Sequence, residues 1–343
     1  MRVTIRDIAN RAGVSVSTAS RALNDKPDVS VGTRARVLAA AQELDYTVNV
    51  YARALVGGRS RTLGLIIPDS GEPFFAQLAR GVADVATSHG YSIIVHNTNE
   101  RPEFELQAHH MLLERRVEGI LIGSVQSGPA PLRRLIEAGV FCLLLNRRLD
   151  NMEVDYVLSD YQYGAYEATV HLCALGHTRI AHITGADNRF SVQERLIGYH
   201  RALAAHGIHP DPALVLRCQA DLDSVYALVL RALPRISPRP TAIFAYNDKY
   251  CIAVLKALND LGWRVPDDVA LVGYDDLEYA RFLQPPLTTI AQSPYDVGKI
   301  GTEILIERLE QPEGPQSMRH VILKPELRIR ASSQPPVATR VSV

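Results

Sequence analysis

Residues Val3 to Leu23 read VTIRDIANRAGVSVSTASRAL, and the punctuation of this stretch decides how the chain begins. Thr4 followed three residues later by Asp7 is a capping-box-like helix start. Ile5, Ile8, Ala9 and Ala12 then recur at i, i+3, i+4 and i+7, one apolar stripe on a helix. Gly13 stops that helix, because it can take the left-handed conformation that most side chains avoid. Ser15 can cap a second helix reaching about Asn24, with Ala19, Ala22 and Leu23 inward and Val16, Ser17, Ser20 and Arg21 on the other face. A third helix, capped near Ser30, is expected to turn Val37, Leu38, Ala41 and Leu44 inward and close a small three-helix core. Two helices joined by a short Gly-containing turn form a helix-turn-helix, whose second helix enters the DNA major groove with its N-terminal residues on base edges.

The charge distribution agrees with this reading. Over 343 residues, 37 basic side chains balance 37 acidic ones, but residues 1–61 hold ten Lys/Arg against five Asp/Glu. A head of about +5 on a body of about −5 suits a module that meets phosphates carried by one that does not. With 47% hydrophobic residues the chain can bury a sizeable core divided into two or three domains. No run nears the roughly 18 apolar residues of a membrane span, and the N-terminus lacks a signal peptide's pattern, so the expected location is cytoplasmic. Cys142, Cys173, Cys218 and Cys251 form no C-x-x-C pair; buried small hydrophobes are expected, with neither a metal site nor a disulfide framework.

Beyond the third helix, Asn49 could cap a short helix from Val50 to Val56 that stops at Gly57-Gly58. So short a helix is marginal alone in water and is expected to form on docking. From Thr62 the texture changes. TLGLIIPD, YSIIVHN, VEGILIGSV and FCLLLNR read as strands alternating with helices; RIAHITG, ALVLRC, TAIFAYND and VALVGYDD repeat the alternation. Val/Ile/Leu-rich strands each followed by a helix predict parallel sheets covered on both faces, and two such series predict two lobes. Ligands of open α/β sheets bind outside the carboxyl ends of strands. Polar residues end those strands at Asp69-Ser70, Asn146-Arg147, Gly185, Asn247-Asp248 and Asp275-Asp276.

The headpiece TIRDIANRAGVSVSTASRALN, followed by VSVGTRARVLAAAQELDYTVNVYARAL, resembles the DNA-binding headpiece of LacI/GalR repressors, including the V-S-x-x-T-x-S-R recognition helix. The body resembles their effector-binding core, similar to periplasmic sugar-binding proteins, through PFFAQL, LLLNRRL, LGHTRIAHITG, SVQERLIGY, AIFAYND, RVPDDVALVGYDD and PPLTTIAQ. The resemblance implies a helix-turn-helix headpiece at 1–46, a hinge helix and linker at 47–61, a two-lobed periplasmic-binding-protein-like α/β core at 62–333, and a disordered tail at 334–343. The first lobe would take about 62–159 plus 292–320 and the second about 160–291 plus 321–333, with crossings near Ser159, Ala291 and His320. DNA contacts are implied for Thr4, Ser15, Val16, Ser17, Thr18, Ser20, Arg21 and Asn24. In the hinge, Asn49, Ala52, Arg53 and Leu55 join them, with paired hinge helices in the minor groove, Ala52 allowing their close approach and Leu55 wedged between base pairs.

For the core, the resemblance assigns Arg195, Asn247, Asp275 and Gln292 to hydrogen bonds with an effector, and Ser191, Asn146, Phe74 and Phe75 to the cleft lining; Arg147 and Asp248 at strand ends complete the candidate set. Carboxylates and amides pairing with vicinal hydroxyls, with a ring against an apolar face, suit a sugar or nucleoside. Two departures bear on the ligand: Ala220 stands where family members often stack an aromatic, and Asn146 replaces a frequent Asp. The first counts against a purine, since purine-binding members keep the ring. The tail lacks leucine heptads, so a homodimer on a palindromic operator is expected. No H-E-x-x-H, G-x-S-x-G, phosphate-binding or dinucleotide-binding motif is present, which argues against an enzyme and against a cofactor. A transporter's solute-binding protein shares the core fold, but would need neither residues 1–58 nor a cytoplasmic location. The expected function is a sequence-specific repressor controlled by a small molecule, a sugar or sugar derivative, with a purine or nucleoside as the alternative.

Overall fold

The computed structural model describes residues 3–24, 26–46, 59–123, 128–149, 152–185, 189–219, 221–313 and 317–334. Expectations for Asn49, Ala52, Arg53, Leu55, Ala220 and the tail after residue 334 lie outside the described residues. The chain divides into two compact units, Met1–Ser60 and Arg61–Val343.

In the first unit, α1 (Ile5–Ala12), α2 (Val16–Leu23) and α3 (Val31–Glu43) follow the expected punctuation. Asp7 Oδ2 accepts the Thr4 backbone N–H at 2.8 Å and the Thr4 hydroxyl at 2.7 Å. Gly13 closes α1 at φ 67°. Ser15 Oγ accepts Thr18 N–H at 3.1 Å, and Ser30 Oγ accepts Thr33 N–H at 3.3 Å. Satisfying these otherwise orphaned N–H groups fixes where each helix starts. Ile8, Ala9, Ala12, Ala19, Ala22, Val37 and Ala40 form the core. Leu38 departs from expectation: it is 50% exposed, and Ala40 is buried instead. Val37, Ala40, Ala41 and Leu44 follow the i, i+3, i+4, i+7 rule, whereas Leu38 is rotated about 100° from Val37, out of the stripe.

The second unit holds two six-stranded sheets. Its first half runs β1 (Thr62–Ile67), α4 (Pro73–Ser88), β2 (Ser92–Asn97), α5 (Pro102–Glu114), β3 (Gly119–Ile122), α6 (Pro129–Glu137), β4 (Phe141–Leu145) and β5 (Asp155–Ser159). There follow α7 (Tyr161–Ala174), β6 (Ile180–Gly185), α8 (Phe190–Ala205), β7 (Val215–Cys218), α9 (Leu222–Ala232), β8 (Ala242–Ala245), α10 (Asp248–Asp260), β9 (Ala270–Asp275) and β10 (Thr288–Ala291). The chain then adds α11 (Pro294–Glu310), β11 (His320–Leu323) and β12 (Glu326–Arg328). The strand orders are β11-β5-β4-β3-β1-β2 and β12-β10-β9-β8-β6-β7. The described pairings are parallel except for β10 with β12.

Each lobe is assembled from distant parts of the chain. Val297, Ile304, Leu305 and Ile306 of α11 bury against Leu63, Leu121, Leu143 and Val157 of the first sheet. That helix approaches α4 closely enough that a Cβ at Gly298 would stand 2.2 Å from the Leu78 carbonyl oxygen, and one at Gly81 2.1 Å from that of Tyr295. The third crossing, expected near His320, falls later: His320–Leu323 pairs in parallel with β5, and the chain changes sheets only between Leu323 and Glu326. Four short strands, β5, β10, β11 and β12, were not among those read from apolar runs; β11 and β12 are sheet edges, where half the backbone is unpaired and continuous burial is not required.

Candidate functional site

The outer face of α2 presents what a groove-reading helix needs. Val16 is 42% exposed, and Ser17 and Arg21 are exposed beside it. Ser15 Oγ lies 2.8 Å from both Ser17 Oγ and Thr18 Oγ1, so the helix start is a small hydroxyl cluster. Asn24 donates its amide to the Ser20 carbonyl at 2.8 Å, closing the helix end. Thr4 turns its hydroxyl to Asp7. Arg21 is held by Asp28, which accepts Nε–H at 2.7 Å and Nη2–H at 2.5 Å on Oδ2. That hydrogen bond raises the Arg21 pKa and lowers that of Asp28. Sequence reasoning missed Asp28, because a carboxylate seven residues on from a helical arginine has no local signature.

Within the second unit, strand ends from both sheets converge on a cavity of about 410 Å³. Phe74, Phe75, Asn146, Arg147, Ser191, Arg195, Asn247, Asp275 and Gln292 all line it, as expected. At its floor, Arg195 is 3% exposed. Its Nη1–H donates to the Tyr246 carbonyl at 2.7 Å and its Nη2–H approaches Asp275 Oδ1 at 3.4 Å. The guanidinium carbon stands 3.9 Å from the Tyr274 ring centre, 4.3 Å from Tyr246 and 5.0 Å from Tyr161. Desolvation disfavours the Arg195 charge, but interactions with Tyr246 and Asp275 outweigh it and hold the pKa above its ordinary value. Burial pushes Asp275 up to about 6, against the opposing pull of Arg195 and Gln292.

Gln292 Nε2–H donates to Asp275 Oδ1 at 2.6 Å, while its Oε1 is buried with no partner among the described residues. Asn146, at φ 57°, is buried with both amide atoms equally unpartnered. Unsatisfied polar groups of this kind cost about 1–3 kcal/mol each, and two residues bring them to one cavity. Ser191 Oγ lies 2.8 Å from the Tyr246 hydroxyl. Phe74 and Phe75 meet edge to face at 5.3 Å. Asn247 caps α10, accepting Tyr250 N–H on Oδ1 at 3.0 Å.

Asp248 is a correction. It does not line the cavity and is 0% exposed. Its Oδ2 accepts Leu277 N–H at 2.8 Å and its Oδ1 accepts the Thr289 hydroxyl at 2.5 Å. One residue further along a helix swings the side chain about 100° from Asn247, which takes it off the cleft and onto the sheet. A Cβ at Gly273 would come within 2.3 Å of Asp248 Oδ1, so the strand leaves room for the carboxyl. Burial, then the nearby Asp275, pushes Asp248 up to about 8.

Sequence reasoning also missed part of the wall. The rings of Tyr161, Phe190, Tyr246 and Tyr250 line the cavity, and Lys249 and Arg189 from one lobe pair with Glu72 and Glu100 from the other. Tyr246 stood beside the polar strand end already singled out, and strand alternation could have flagged it. The ion pairs had no comparable signal. Burial lowers the Arg147 pKa to about 10, with Glu105 and Tyr161 favouring its charge. The cysteines are free, and among the described residues no His/Cys/Asp/Glu group could hold a metal. No described helix is long and apolar enough to cross a membrane.

Residues 4–49 match the family described as bacterial regulatory proteins, lacI family, and residues 169–333 match the periplasmic binding protein-like domain. The HTH-type transcriptional repressor PurR of Aliivibrio fischeri strain MJ11 is 34% identical, over 96% of this chain and 98% of that protein. Among solved structures, a Lac repressor dimer bound to operator and the anti-inducer ONPF aligns at TM-score 0.86 and 28% identity, over 98% of this chain and 100% of that one. A complex of the transcriptional regulator CelR with cellobiose aligns at TM-score 0.74 and 32% identity, over 97% and 100%. These similar proteins are regulators by name, not enzymes.

Proposed function

The chain belongs to the LacI family of bacterial regulatory proteins, and from that premise we propose that it is an operator-binding repressor whose DNA affinity is set by a carbohydrate-class small molecule held between the two lobes of its core. A cytoplasmic homodimer presents two headpieces to a palindrome. The α2 face of Val16, Ser17 and Arg21 reads the major groove, and the hinge segment with Leu55 reaches the minor groove.

One observation carries the effector reading: the buried, unpartnered amide of Asn146 lies in the same cavity as the linked groups Arg195, Asp275 and Gln292. Vicinal hydroxyls, each both donor and acceptor, satisfy such a mixture of amide and carboxylate groups. The Phe and Tyr rings then cover the apolar face of a pyranose or furanose. A purine is the second reading, favoured by the number of rings in the wall; Ala220 in place of an aromatic weighs against it.

Three chain crossings join the lobes, so a small rotation about them opens or closes the cleft. Two headpieces must meet half-sites at fixed spacing, so a modest rotation destroys simultaneous docking. Effector and operator are then linked, each changing the other's affinity by the same factor, typically worth about 1–3 kcal/mol. Selection of duplexes from a randomised pool with the purified full chain tests the reading. A palindrome bound in preference to its scramble, and released or tightened by a sugar, is the expected result; equal binding to palindrome and scramble overturns it.

A further inference from the structure

Resting on the linkage between cleft and operator, we infer that Arg61 is the positioning residue that carries movement of the cleft to the headpiece, by bridging the C-terminal ends of α4 and α11. Both helices start at the cavity. Glu72, the N-cap of α4, lines it together with Phe74 and Phe75 of the first turn. Helix α11 begins at Pro294, just past a lobe crossing and the lining residue Gln292. At 16 and 17 residues the two helices run about 24–26 Å from there. Their backbones touch at Gly81 and Gly298, where neither position has room for a Cβ, and Tyr295 donates its hydroxyl to Asp84 at 3.0 Å. Helices packed this closely shift together, because the seam holds no space to absorb a displacement.

Their far ends meet in one side chain. Arg61 Nη1–H reaches Glu310 Oε1, on the last residue of α11, at 3.3 Å, and the carbonyl of His89, the C-cap of α4, at 3.4 Å. A cation at this place also faces the negative ends of both helix dipoles. The guanidinium carbon lies 5.0 Å from the Tyr91 ring centre. The Arg61 backbone is gripped as well: its N–H donates to Glu118 Oε1 at 2.7 Å, and its carbonyl accepts Ser92 N–H at 2.8 Å. So held, Arg61 keeps φ at 48°, which side-chain-bearing residues rarely adopt. The second compact unit begins at this residue, so the headpiece unit is joined covalently to the backbone that the clamp orients. The Arg61–Glu310 pair is open to water, with side-chain exposures of 43% and 41%, and adds little stability. What it sets is direction: a displacement of either helix end reaches the peptide at which the chain passes to the headpiece.

The test sets the cleft of the full chain at two poles without any ligand. Glu72 and Lys249, each 30% exposed where they meet across the cleft, are substituted (Glu72→Cys, Lys249→Cys) and joined by a short bismaleimide, which holds it closed. Cys173→Ser removes the one native cysteine that is not buried. At the other pole, Glu72→Lys with Glu100→Lys sets like charges against Lys249 and Arg189 and drives the lobes apart. Gel shifts read the preference for the selected palindrome over its scramble, in which changes of overall charge cancel. In the parent the two poles are expected to differ about fivefold or more. With Arg61→Ala, which keeps a Cβ and therefore the same backbone strain, the palindrome is still preferred but the poles differ by less than about twofold. Arg61→Ala is expected to melt close to the parent; should it not, Glu310→Ala, which leaves the junction backbone untouched, is read in its place. Poles that differ equally with and without the Arg61 side chain overturn the inference and leave the linkage standing. Loss of the palindrome's preference at both poles with Arg61→Ala makes that residue a DNA contact, and overturns the inference likewise. Poles that coincide in the parent overturn both.

Discussion

Asp248 accepts the backbone N–H of Leu277 at 2.8 Å and so holds, from beneath, the turn that aims Asp275 at the cavity. That turn needs a support. Asp275 sits at φ 111° and Asp276 at φ 53°, conformations that side-chain-bearing residues rarely adopt, each costing about 1–3 kcal/mol. Thr289 and Gly273 of the adjoining strands complete the socket for the carboxyl.

Replacing Asp248 by Ala strips both hydrogen bonds and leaves a buried N–H orphaned, so a loss of about 2–4 kcal/mol in unfolding free energy is expected. Asp248→Asn keeps an acceptor for Leu277 and a partner for Thr289, and is expected to lose much less. Hydrogen exchange of the Leu277 amide checks the cause: accelerated in the Ala variant, near parental in the Asn variant. Equal exchange in both variants would contradict the support role.

The same residue predicts a pH dependence. A carboxyl whose folded pKa, about 8, lies above its ordinary value of 3.8 binds its proton more tightly in the folded chain. Folding is therefore unpenalised below the unfolded pKa, and stability falls as pH rises through the folded one, by about 1.4 kcal/mol per unit of separation. Asp248→Asn removes that contribution. Its melting temperature relative to the parent is expected to rise steadily between pH 5 and pH 8; a constant difference across that range would count against a raised Asp248.

Arg21 and Arg34 are expected to separate specificity from affinity. Arg21 stands on the exposed face of α2 proposed to read bases, whereas Arg34, on α3, donates Nη2–H to the Lys26 carbonyl at 2.7 Å. Arg21→Ala should cost about 1–3 kcal/mol on the selected palindrome and little on scrambled duplex. Arg34→Ala should weaken both alike and flatten the salt dependence by about one counterion. Gel shifts at several salt concentrations measure this, and equal losses on both duplexes for Arg21→Ala would remove Arg21 from base reading.

Gly298→Ala tests the seam between α4 and α11. The added methyl would meet the Leu78 carbonyl oxygen at 2.2 Å, so the helices must move apart, at about 1–3 kcal/mol. Urea denaturation reads the change. Gly128→Ala is no control for it, because φ 75° strains any side chain there; Gly32→Ala, in open space on α3, is the clash-free comparison and is expected to stabilise by up to about 1 kcal/mol through helix propensity alone.

Much of the reading module was legible because its signals are local. Thr4 with Asp7, Gly13, Ser15 and Ser30 act within one turn of themselves, and an apolar stripe declares which face is inward. Leu38 shows the limit: a stripe read one residue out of phase exposes the wrong side chain. In the core, polar strand ends and the family resemblance together pointed to the cavity, and nine of the ten candidates line it. Asp248 failed because adjacent residues on a helix look in different directions, and only the packed sheet decides which of them sees the cleft.

The chain's own order therefore determined the helix boundaries, the alternation of strand and helix, and the strand ends where a ligand could sit, since hydrogen bonds and side-chain periodicity reach only a few residues. Which charges meet was decided by folding alone: Glu72 and Lys249 lie 177 residues apart, Glu100 and Arg189 lie 89 apart. Coulomb attraction and desolvation act through space, so these ion pairs across the cleft exist only once two lobes, each built from separated segments, face each other.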